Sequence, residues 1–343
     1  MITLLFSLII TAGPQFPIPK DVEETAEAGL EYLVDHQHAD GLVYENNRSQ
    51  FKIANSSLTG LAILSQGSNP REGKYSSQIN KIVKSLLSQS IKTNGLLASR
   101  EIGGSQIYEH SFSLLFLSEV YGQHRPEDSH IKRTISKAID MLVGSQSKLG
   151  GWRYDIPCTD SDLSVTVAVI MALRSCKSAG FKIPDSTIDK AKDYVLKCQK
   201  KDGSFSYQYN IENDFFQTGG VRTAAALTAI FNIGIFEGKN IERSIKHLEG
   251  FHPSRTEISC SGKTNEYITY YPYGNYYAAA AAKQIGNKFW EDWYNALSRQ
   301  IIKHKIQKAE GTYWRFSEDS ITDTAFLCIV LYMPNDFLPI FQD

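Results

Sequence analysis

The stretch Gln146-Ser-Lys-Leu-Gly-Gly-Trp152 decides the fold, because variants of it recur along the whole chain. It joins a glutamine near the end of an amphipathic stretch to a turn glycine and then to an aromatic residue. The five clear copies are Gln37–Gly41, Gln89–Gly95, Gln146–Gly150, Gln199–Gly203 and Gln307–Gly311. A degenerate copy without the glutamine lies near Phe251, so the anchors fall at 37, 89, 146, 199, 251 and 307, a mean spacing of 54. A fixed period of this length predicts a repeat architecture of six units.

Each unit is predicted to consist of two helices of different character. Between Ile135 and Leu142, apolar residues recur at i, i+3, i+4 and i+7, as in a helix with one exposed face. The second helix is apolar almost all round, as in Val165–Leu173 and Thr223–Phe231. A helix without a polar stripe must be buried, so inner helices should alternate with outer ones. We therefore expect an all-α fold, a single closed α/α toroid of six helical hairpins. An open solenoid would leave a polar face on the second helices.

The residues at each turn are expected to have structural roles. A glycine after the first helix supplies a left-handed turn conformation. The glutamine is long enough to bond free carbonyls or amides at that turn. The aromatic residue is expected to seal adjacent hairpins together.

The repeat also sets the domain organisation. A length of 343 residues alone suggests two domains, whereas six hairpins fill one toroid domain, residues 21–343. Residues 1–20 include the uncharged apolar run Ile2–Ala12, which is too short to cross a membrane and is typical of the core of a secretory signal peptide. The sequence thus predicts export to the periplasm or the cell exterior and no membrane span. A docked apolar N-terminal segment is the alternative.

Composition and motifs exclude several classes of protein. The 36 Lys and Arg residues against 37 Asp and Glu give a net charge of -1 without a basic stripe, which argues against a nucleic-acid partner. The five cysteines lack a Cys-x-x-Cys pair, so neither a disulfide framework nor a zinc ribbon is indicated. No Gly-rich phosphate loop, nucleophile elbow or His-Glu-x-x-His motif is present. The sequence accordingly predicts no cofactor and no resident metal ion.

The repeat resembles that of squalene–hopene cyclases, protein prenyltransferase β-subunits and related prenyltransferase/squalene-oxidase-repeat proteins. The best matches are Gln146–Trp152 (QSKLGGW), Gln199–Phe205 (QKKDGSF) and Gln307–Trp314 (QKAEGTYW), and the resemblance covers about residues 21–335. The segment Gly150–Thr166 is similar to bacterial proteins of this class that have no clear assigned activity. The resemblance implies the α/α-toroid fold and is much less specific for activity.

One polar residue near the start of each inner helix falls at the same end of the central cavity in a closed toroid. These residues are Ser57, His110, Thr166, Thr223, Asn275 and Thr324. They would form the rim of a pocket. Alternatively they would cap their helices, because Ser, Thr and Asn are preferred N-cap residues.

The segment Asp160-Ser-Asp162, just before an inner helix, resembles the Asp-x-Asp-Asp acid motif of class II terpene cyclases. That resemblance implies that Asp162 protonates an alkene or epoxide and that Asp160 supports it. His110 and Asp323 lie near the same ends of inner helices and are candidate helpers. Leu163 replaces the third aspartate, and class II cyclases pair two barrels where this chain provides one, so both features count against cyclase activity. The alternative is that an aspartate caps the helix and favours its positive dipole end.

A prenyltransferase activity would require a zinc site with one position open for substrate. The candidate ligands near the same helix ends are His110, Cys158, Asp162 and Asp323. None of them forms the Asp-x-Cys pair of that family. The basic residues for a diphosphate group are limited to Arg153 and Arg222.

The tyrosine-rich segment Tyr267–Tyr277 before the alanine run Ala278–Ala282 predicts an amphipathic lining at the mouth of the cavity, with ordinary packing between repeats as the alternative. The candidate pocket residues are Trp152, Tyr154, Arg222, Tyr271, Asn275 and Trp314. The leading hypothesis is that a central pocket binds a hydrophobic, isoprenoid-like small molecule. One alternative is a single-barrel cyclase-like or lyase enzyme with Asp162 as the acid. The other is a secreted scaffold for a protein partner, whose barrel centre should be filled.

Overall fold

The computed structural model describes residues 16–46, 49–99, 106–121, 129–209, 219–255 and 270–342. Most of the predicted signal segment, residues 1–15, lies outside these ranges, as does Tyr267 at the start of the tyrosine-rich segment. None of the helices within the ranges is long and apolar enough to cross a membrane.

The regular structure of the described residues is almost entirely helical, with twelve α-helices and one two-stranded hairpin. In the hairpin, β1 (Ile306–Lys308) pairs antiparallel with β2 (Gly311–Tyr313). The helices are α1 (Lys20–Asp35), α2 (Lys52–Gln66), α3 (Ser76–Thr93), α4 (Gln106–Tyr121), α5 (Ser129–Ser145), α6 (Leu163–Ser178), α7 (Asp185–Lys197), α8 (Gly219–Asn232), α9 (Lys239–Glu249), α10 (Tyr271–Ile285), α11 (Asn287–Lys303) and α12 (Ser320–Tyr332).

The even-numbered helices form an inner ring. Helix α2 packs against α4, and the contacts continue through α6, α8 and α10 to α12, which closes the ring on α2. The odd-numbered helices lie outside the ring. From α3 onward each packs against the preceding inner helix, and α1 packs against α12. This arrangement confirms the closed α/α toroid of six hairpins and excludes the open solenoid.

The burial of the two helix types follows the sequence pattern. In the outer helix α5, a stripe that includes Ile131, Ile135 and Leu142 is buried and the opposite face is exposed. In the inner helix α10, every residue of the run Ala278–Ala282 is buried. Small side chains let α10 approach α8 closely, and the two helices are in extensive contact.

The Gln–Gly turns at Gln37 and Gln146 join one hairpin to the next. The Gln146 side-chain amide donates to the carbonyl of Gly150 at 2.7 Å and to the carbonyl of Thr187 in α7 at 2.9 Å. Gly150 has a φ of 98°, and a Cβ atom there would lie 2.4 Å from the carbonyl oxygen of Lys190. Only glycine therefore fits this turn against the next outer helix. Gln37 makes the equivalent two bonds, so the expected role of the glutamine is confirmed.

The C-terminal segment closes the barrel at the end opposite the starts of the inner helices. It contains two single 3-10 turns, Met333–Asn335 and Pro339–Phe341, which pack against α2, α6 and α10. The Phe341 ring lies 5.8 Å from that of Tyr276 in α10. Between the turns, Asp336 forms a buried ion pair with Lys283 at 2.8 Å. The barrel thus has a floor made by its own chain.

Candidate functional site

The axis of the toroid contains a cavity of ≈ 530 Å³, which is within the usual range of small-molecule sites, about 300–1,000 Å³. Its mouth lies at the end where the inner helices begin, and Tyr154 and Ser317 from the preceding loops line it there. Leu58, Phe112 and Phe326 from inner helices line it further along. The cavity is therefore a pocket with one open end and an apolar interior.

Aromatic rings form a continuous wall of this pocket. The ring of Tyr154 lies 6.4 Å from that of Tyr108, and Tyr108 lies 6.3 Å from Tyr273. Phe326 follows, 6.0 Å from Tyr273 and 5.5 Å from Phe112, in edge-to-face geometry with both. The faces of aromatic rings are apolar and also attract cations. This wall suits an apolar ligand and would stabilise positive charge that develops on it.

Arg153 is the centre of a polar cluster at the mouth. Its Nη1 donates to Asp160 Oδ2 at 2.6 Å, and its guanidinium carbon lies 5.5 Å from the centre of the Tyr154 ring. Gln208 donates to the same Asp160 oxygen at 2.9 Å. Burial raises the pKa of Asp160, but hydrogen bonds from the Ser161 N–H, Gln208 and Arg153 outweigh it, so the pKa lies below its usual value. Asp160 is therefore an ionised residue that holds Arg153 in place.

Asp162 lies beside this cluster and is fully buried. Its Oδ1 caps α6 by accepting the Val165 N–H at 2.8 Å, while its Oδ2 lies 3.8 Å from Arg153 Nε. Burial raises the pKa of Asp162 to about 6, although the Val165 N–H, the Tyr207 hydroxyl and the Arg153 charge act in the opposite direction. The adjoining pocket wall is formed by Arg153, Ser164 and Tyr207. Capping, which the sequence left as an alternative, is what this carboxylate does in the structure.

Asp323, in the first turn of α12, lines the pocket itself. Its Oδ2 accepts three hydrogen bonds, from the Phe316 N–H at 2.6 Å, the Ser317 N–H at 2.7 Å and the Ser317 hydroxyl at 3.0 Å. Burial raises the pKa of Asp323 to about 6 despite these bonds, and the nearby Asp319 charge adds to the effect. A protonated fraction near neutral pH is the consequence.

Glu109, in α4, is the second carboxyl group that lines the pocket, and both of its oxygens are already bonded. Oε1 accepts the Ser99 hydroxyl at 2.9 Å and the Ser99 N–H at 3.2 Å. Oε2 accepts the Ala54 N–H at 3.3 Å, and burial raises the pKa of the group. Glu109 therefore ties the loop before α4 to the start of α2.

Glu109, Arg222 and Asp323 occupy equivalent positions on three inner helices, and all three line the pocket. Each directly precedes one of the rim residues predicted from the sequence. Three residues after Glu109 and Asp323, Phe112 and Phe326 line the pocket as well, because i and i+3 share a helix face. The sequence thus identified the correct turn of these helices and missed the face that meets the axis.

His110, predicted to assist catalysis, faces the outer ring instead. Its Nδ1 accepts the Leu97 N–H at 3.0 Å, and its Nε2 is 3.0 Å from the Ala138 carbonyl of α5, to which it donates. Burial lowers the pKa of His110 to about 4, so the ring is neutral. His110 does not reach the pocket because both of its ring nitrogens hold the turn before α4 against α5.

Trp152 and Trp314, both predicted to line the pocket, are fully buried toward the outer helices. The indole N–H of Trp152 donates to the Leu142 carbonyl of α5 at 2.8 Å. That of Trp314 donates to the Ile301 carbonyl of α11 at 2.7 Å. These tryptophans therefore seal the hairpins and are not pocket residues.

Two threonines of the predicted rim, Thr166 and Thr324, support the same turns. The Thr166 hydroxyl accepts the backbone N–H of Trp152, and the Thr324 hydroxyl accepts that of Trp314, each at 3.0 Å. They are not the helix caps, because Asp162 caps α6 and Asp319 caps α12. Thr166 and Thr324 thus correspond to His110 in function.

Two predicted pocket residues of α10 also lie elsewhere. Tyr271 is fully buried, stacks on Phe316 with ring centres 4.4 Å apart and donates to Gln300 Oε1 at 3.3 Å. Asn275 is fully buried and donates to the Tyr271 carbonyl at 2.9 Å. Of the tyrosines within α10, Tyr273 lines the pocket. Tyr271 and Asn275 are buried in the protein and do not line it.

Of the residues predicted for the pocket, Tyr154 and Arg222 do line it. The residues considered as zinc ligands, His110, Cys158, Asp162 and Asp323, are used in separate local contacts. Across the ranges that the structure describes, no three His, Cys, Asp or Glu side chains converge in a metal-binding arrangement.

No protein-family model matches the sequence, and no curated protein matches it. Solved structures do match the fold. An inactive variant of the α-1,6-mannanase GH76A of Salegentibacter sp. HEL1_6, in complex with α-1,6-mannotriose, has a TM-score of 0.64 and 10% identity, over 92% of this chain and 99% of that chain. The type II terpene cyclase MstE from Scytonema without ligand has a TM-score of 0.62 and 12% identity, over 93% of this chain and 100% of that chain. At such identities the likeness shows the fold alone, which is the α/α toroid.

The match to the cyclase corrects one expectation. A variant of MstE in complex with its substrate geranylgeranyl dihydroxybenzoate has a TM-score of 0.61 and 14% identity, over 93% of this chain and 98% of that chain. A chain of type II terpene cyclase can therefore have the extent of this single barrel. The presence of one barrel does not count against cyclase activity.

Proposed function

We propose that the protein binds an apolar, isoprenoid-like small molecule in the central pocket. The observation that carries this proposal is the continuous aromatic wall from Tyr154 at the mouth to Phe112 and Phe326 in the interior. Polar side chains that include Arg153 and Arg222 line the same pocket and suit a polar head group. Burial of apolar ligand surface contributes about 25 cal/mol for each Å² removed from water.

The pocket favours an isoprenoid over a sugar. The mannanase structure contains a mannose oligosaccharide, and the cyclase variant contains a geranylgeranyl compound. Each sugar hydroxyl needs a hydrogen-bond partner when it is buried, whereas Leu58, Phe112 and Phe326 offer none on the inner part of this pocket. The chemistry of the wall therefore supports a ligand like that of the cyclase.

Titration of the purified protein with geranylgeraniol tests this function. Leu58→Trp places a larger side chain in the pocket and should weaken binding at least about tenfold, or about 1.4 kcal/mol. Leu149→Trp introduces the same residue at an exposed position and should leave the affinity unchanged. Absence of saturable binding, or equal affinity of the two variants, would contradict the proposal. Circular dichroism verifies that both variants are folded.

A second candidate function is an acid-initiated reaction of the bound ligand. The supporting observation is that burial raises the pKa of both Asp162 and Asp323 to about 6, so that a carboxylic acid is available near neutral pH. The sequence motif predicts Asp162 as the acid and Asp160 as its support. Product analysis with geranylgeraniol tests that assignment, since an unaltered product profile in folded Asp162→Asn would exclude it.

A scaffold for a protein partner is the third function that the sequence left open. A protein that only binds a partner on its outer surface requires no pocket, and a filled barrel centre is its expected feature. The cavity of ≈ 530 Å³ disagrees with that expectation.

Two further parts of the sequence-based hypothesis remain proposals. Membership of the prenyltransferase/squalene-oxidase-repeat class is supported by the Gln–Gly hydrogen bonds at equivalent turns.

Export is supported by the apolar run Ile2–Ala12, which lies outside the described residues. N-terminal sequencing of the expressed protein tests the second proposal. A mature chain that lacks the apolar run Ile2–Ala12 is expected, and an intact Met1 on cytosolic protein would contradict it.

A further inference from the structure

Asp162 and Asp323 are two buried carboxyl groups near the pocket, and they differ in how their oxygens are used. Asp323 lines the pocket, whereas Asp162 is covered by residues that line it. We propose that Asp323, and not the motif residue Asp162, is the acid that donates a proton to the ligand. This assignment rests on the proposed binding of an unsaturated apolar ligand in the pocket.

The hydrogen bonds of Asp323 determine where its proton lies. Oδ2 accepts three donors, from the Phe316 N–H and from the N–H and hydroxyl of Ser317. An oxygen that already accepts three hydrogens has no room for its own, so the proton of the neutral acid is on Oδ1. Among the described residues, no group donates to Oδ1. The acidic O–H is therefore the part of Asp323 that is left for a ligand.

The surroundings keep Asp323 neutral for part of the time. Burial is the main cause of its raised pKa, and Asp319, the N-cap residue of α12, contributes a like charge. The other charged residues on the pocket wall are Glu109, Arg153 and Arg222, and Arg153 is itself bonded to Asp160. Among the described residues, no cation forms a salt bridge with Asp323. Such a salt bridge would favour the ionised carboxylate.

Asp162 has a different environment. Its Oδ1 caps α6 through the Val165 N–H, and its Oδ2 lies 3.8 Å from the Arg153 guanidinium. The side chain has no exposed surface, so a ligand would have to displace Arg153 or Ser164 to reach it. Burial raises the pKa of Asp162 to about 6, as it does for Asp323, so access to the pocket and not acidity separates the two groups. The contacts of Asp162 are with the Val165 N–H and the Arg153 guanidinium. Asp162 therefore positions α6 and Arg153.

The step at Asp323 balances without a further reactant. The Oδ1 proton moves to one carbon of a ligand double bond, whose π electrons form the new C–H bond and leave a cation on the other carbon. Phe326 lies one turn further on the same helix face, and Phe112 lies 5.5 Å from it, so aromatic rings are available to stabilise the cation. Attack by the next double bond closes a ring. The final cation loses a proton to water at the mouth, and water returns a proton to the Asp323 carboxylate.

A small diazoacetamide tests the acid independently of isoprenoid binding. The carboxylic acid protonates the diazo carbon, the carboxylate then attacks this carbon, and N₂ leaves, so an ester marks a protonated and accessible carboxyl group. Peptide mass mapping at about pH 5 should show at least about tenfold more ester on Asp323 than on Asp162, and less ester as the pH rises above the Asp323 pKa. Asp323→Asn should abolish this label, and Asp162→Asn should leave it within about twofold. Equal labelling, or a label on Asp162 alone, would overturn the assignment.

Turnover of geranylgeraniol in D₂O tests the proton transfer itself. Wild-type protein should yield a cyclised product with deuterium at the protonated carbon. Asp323→Asn should lower this rate about 100-fold or more, while Asp162→Asn retains more activity than Asp323→Asn. Failure of geranylgeraniol to bind contradicts the proposed function, and the ester label still decides between the two acids. Saturable binding without deuterium incorporation overturns the role of Asp323 as a proton donor.

Discussion

The buried ion pair between Lys283 and Asp336 provides a quantitative test of how the pocket floor is held. Lys283 belongs to α10, and Asp336 connects the two 3-10 turns of the C-terminal segment. Their side chains are 2% and 6% exposed, and the charged atoms are 2.8 Å apart. Asp336 has a φ of 62°, which Asn tolerates well. Asp336→Asn therefore removes the charge and preserves the backbone.

Loss of one member of a buried pair is costly because the other charge stays out of water. We expect Asp336→Asn to lower the free energy of unfolding by about 3–5 kcal/mol. Lys283→Met should cost a similar amount, and the double variant should be less destabilised than the sum of the two, because it contains no uncompensated charge. The pair Lys288–Asp292 is the matched control, at 3.0 Å and with exposures of 81% and 53%. Asp292→Asn should leave stability almost unchanged.

Urea denaturation followed by circular dichroism measures these differences. A large loss of unfolding free energy for Asp336→Asn, with little change for Asp292→Asn, would show that the buried ion pair stabilises the C-terminal segment that closes the barrel. Equal stabilities of the two variants would refute the reasoning, since burial is the property by which the two pairs differ.

Three further predictions concern the turns and the pocket acid. Gly150→Ala should lower the stability of the fold more than Gly180→Ala, because both glycines have positive φ but only Gly150 lacks space for a Cβ atom. Thermal denaturation of the two variants measures this difference, and equal losses would contradict the close approach of Gly150 to Lys190. Gln146→Ala should lose about 1–3 kcal/mol through its two hydrogen bonds, and Lys148→Ala, an exposed neighbour, should lose almost nothing; similar losses would show that the turn does not need the glutamine. Burial raises the pKa of Asp323 in the folded state from 3.8 to about 6, so between these pH values the folded state holds a proton that the unfolded state has lost. The free energy of unfolding of the wild type should therefore fall by about 3 kcal/mol relative to Asp323→Asn as the pH rises from about 4 to about 6. Parallel stability curves of the two proteins would contradict the raised pKa.

The fold could be predicted from the sequence because its signals are local. The hydrogen bond from Gln146 to the Gly150 carbonyl joins residues four positions apart, and the turn itself requires a positive φ at Gly150 alone. The contrast between amphipathic and wholly apolar helices then separates outer from inner helices. Closure follows because an inner helix buried on every side must have neighbours on every side.

The pocket could be predicted only in part. Inner helices are buried all round, so hydrophobicity does not indicate which of their faces meets the axis. The rim prediction selected His110, yet the preceding Glu109 faces the pocket. The sequence did contain an indication of this face, because charged residues are rarely buried in an apolar helix unless they have a partner or line a site. Glu109, Arg222 and Asp323 are such residues at equivalent positions.

The orientation of Trp152 could not be predicted because it depends on tertiary structure. The loop that follows it returns to pair Asp162 with Trp152 through a backbone bond of 2.9 Å. This path turns the indole toward α5 and leaves Arg153 and Tyr154 at the pocket. The sequence contains the aromatic residues but not the path of the loop.

A crystal structure of the protein with bound geranylgeraniol tests the central claim most directly. The account predicts the isoprenoid chain against Phe112 and Phe326, with a double bond in contact with Asp323 Oδ1 and the hydroxyl group toward the mouth. A ligand bound only outside the inner ring, or an empty pocket at a concentration that saturates binding, would contradict it.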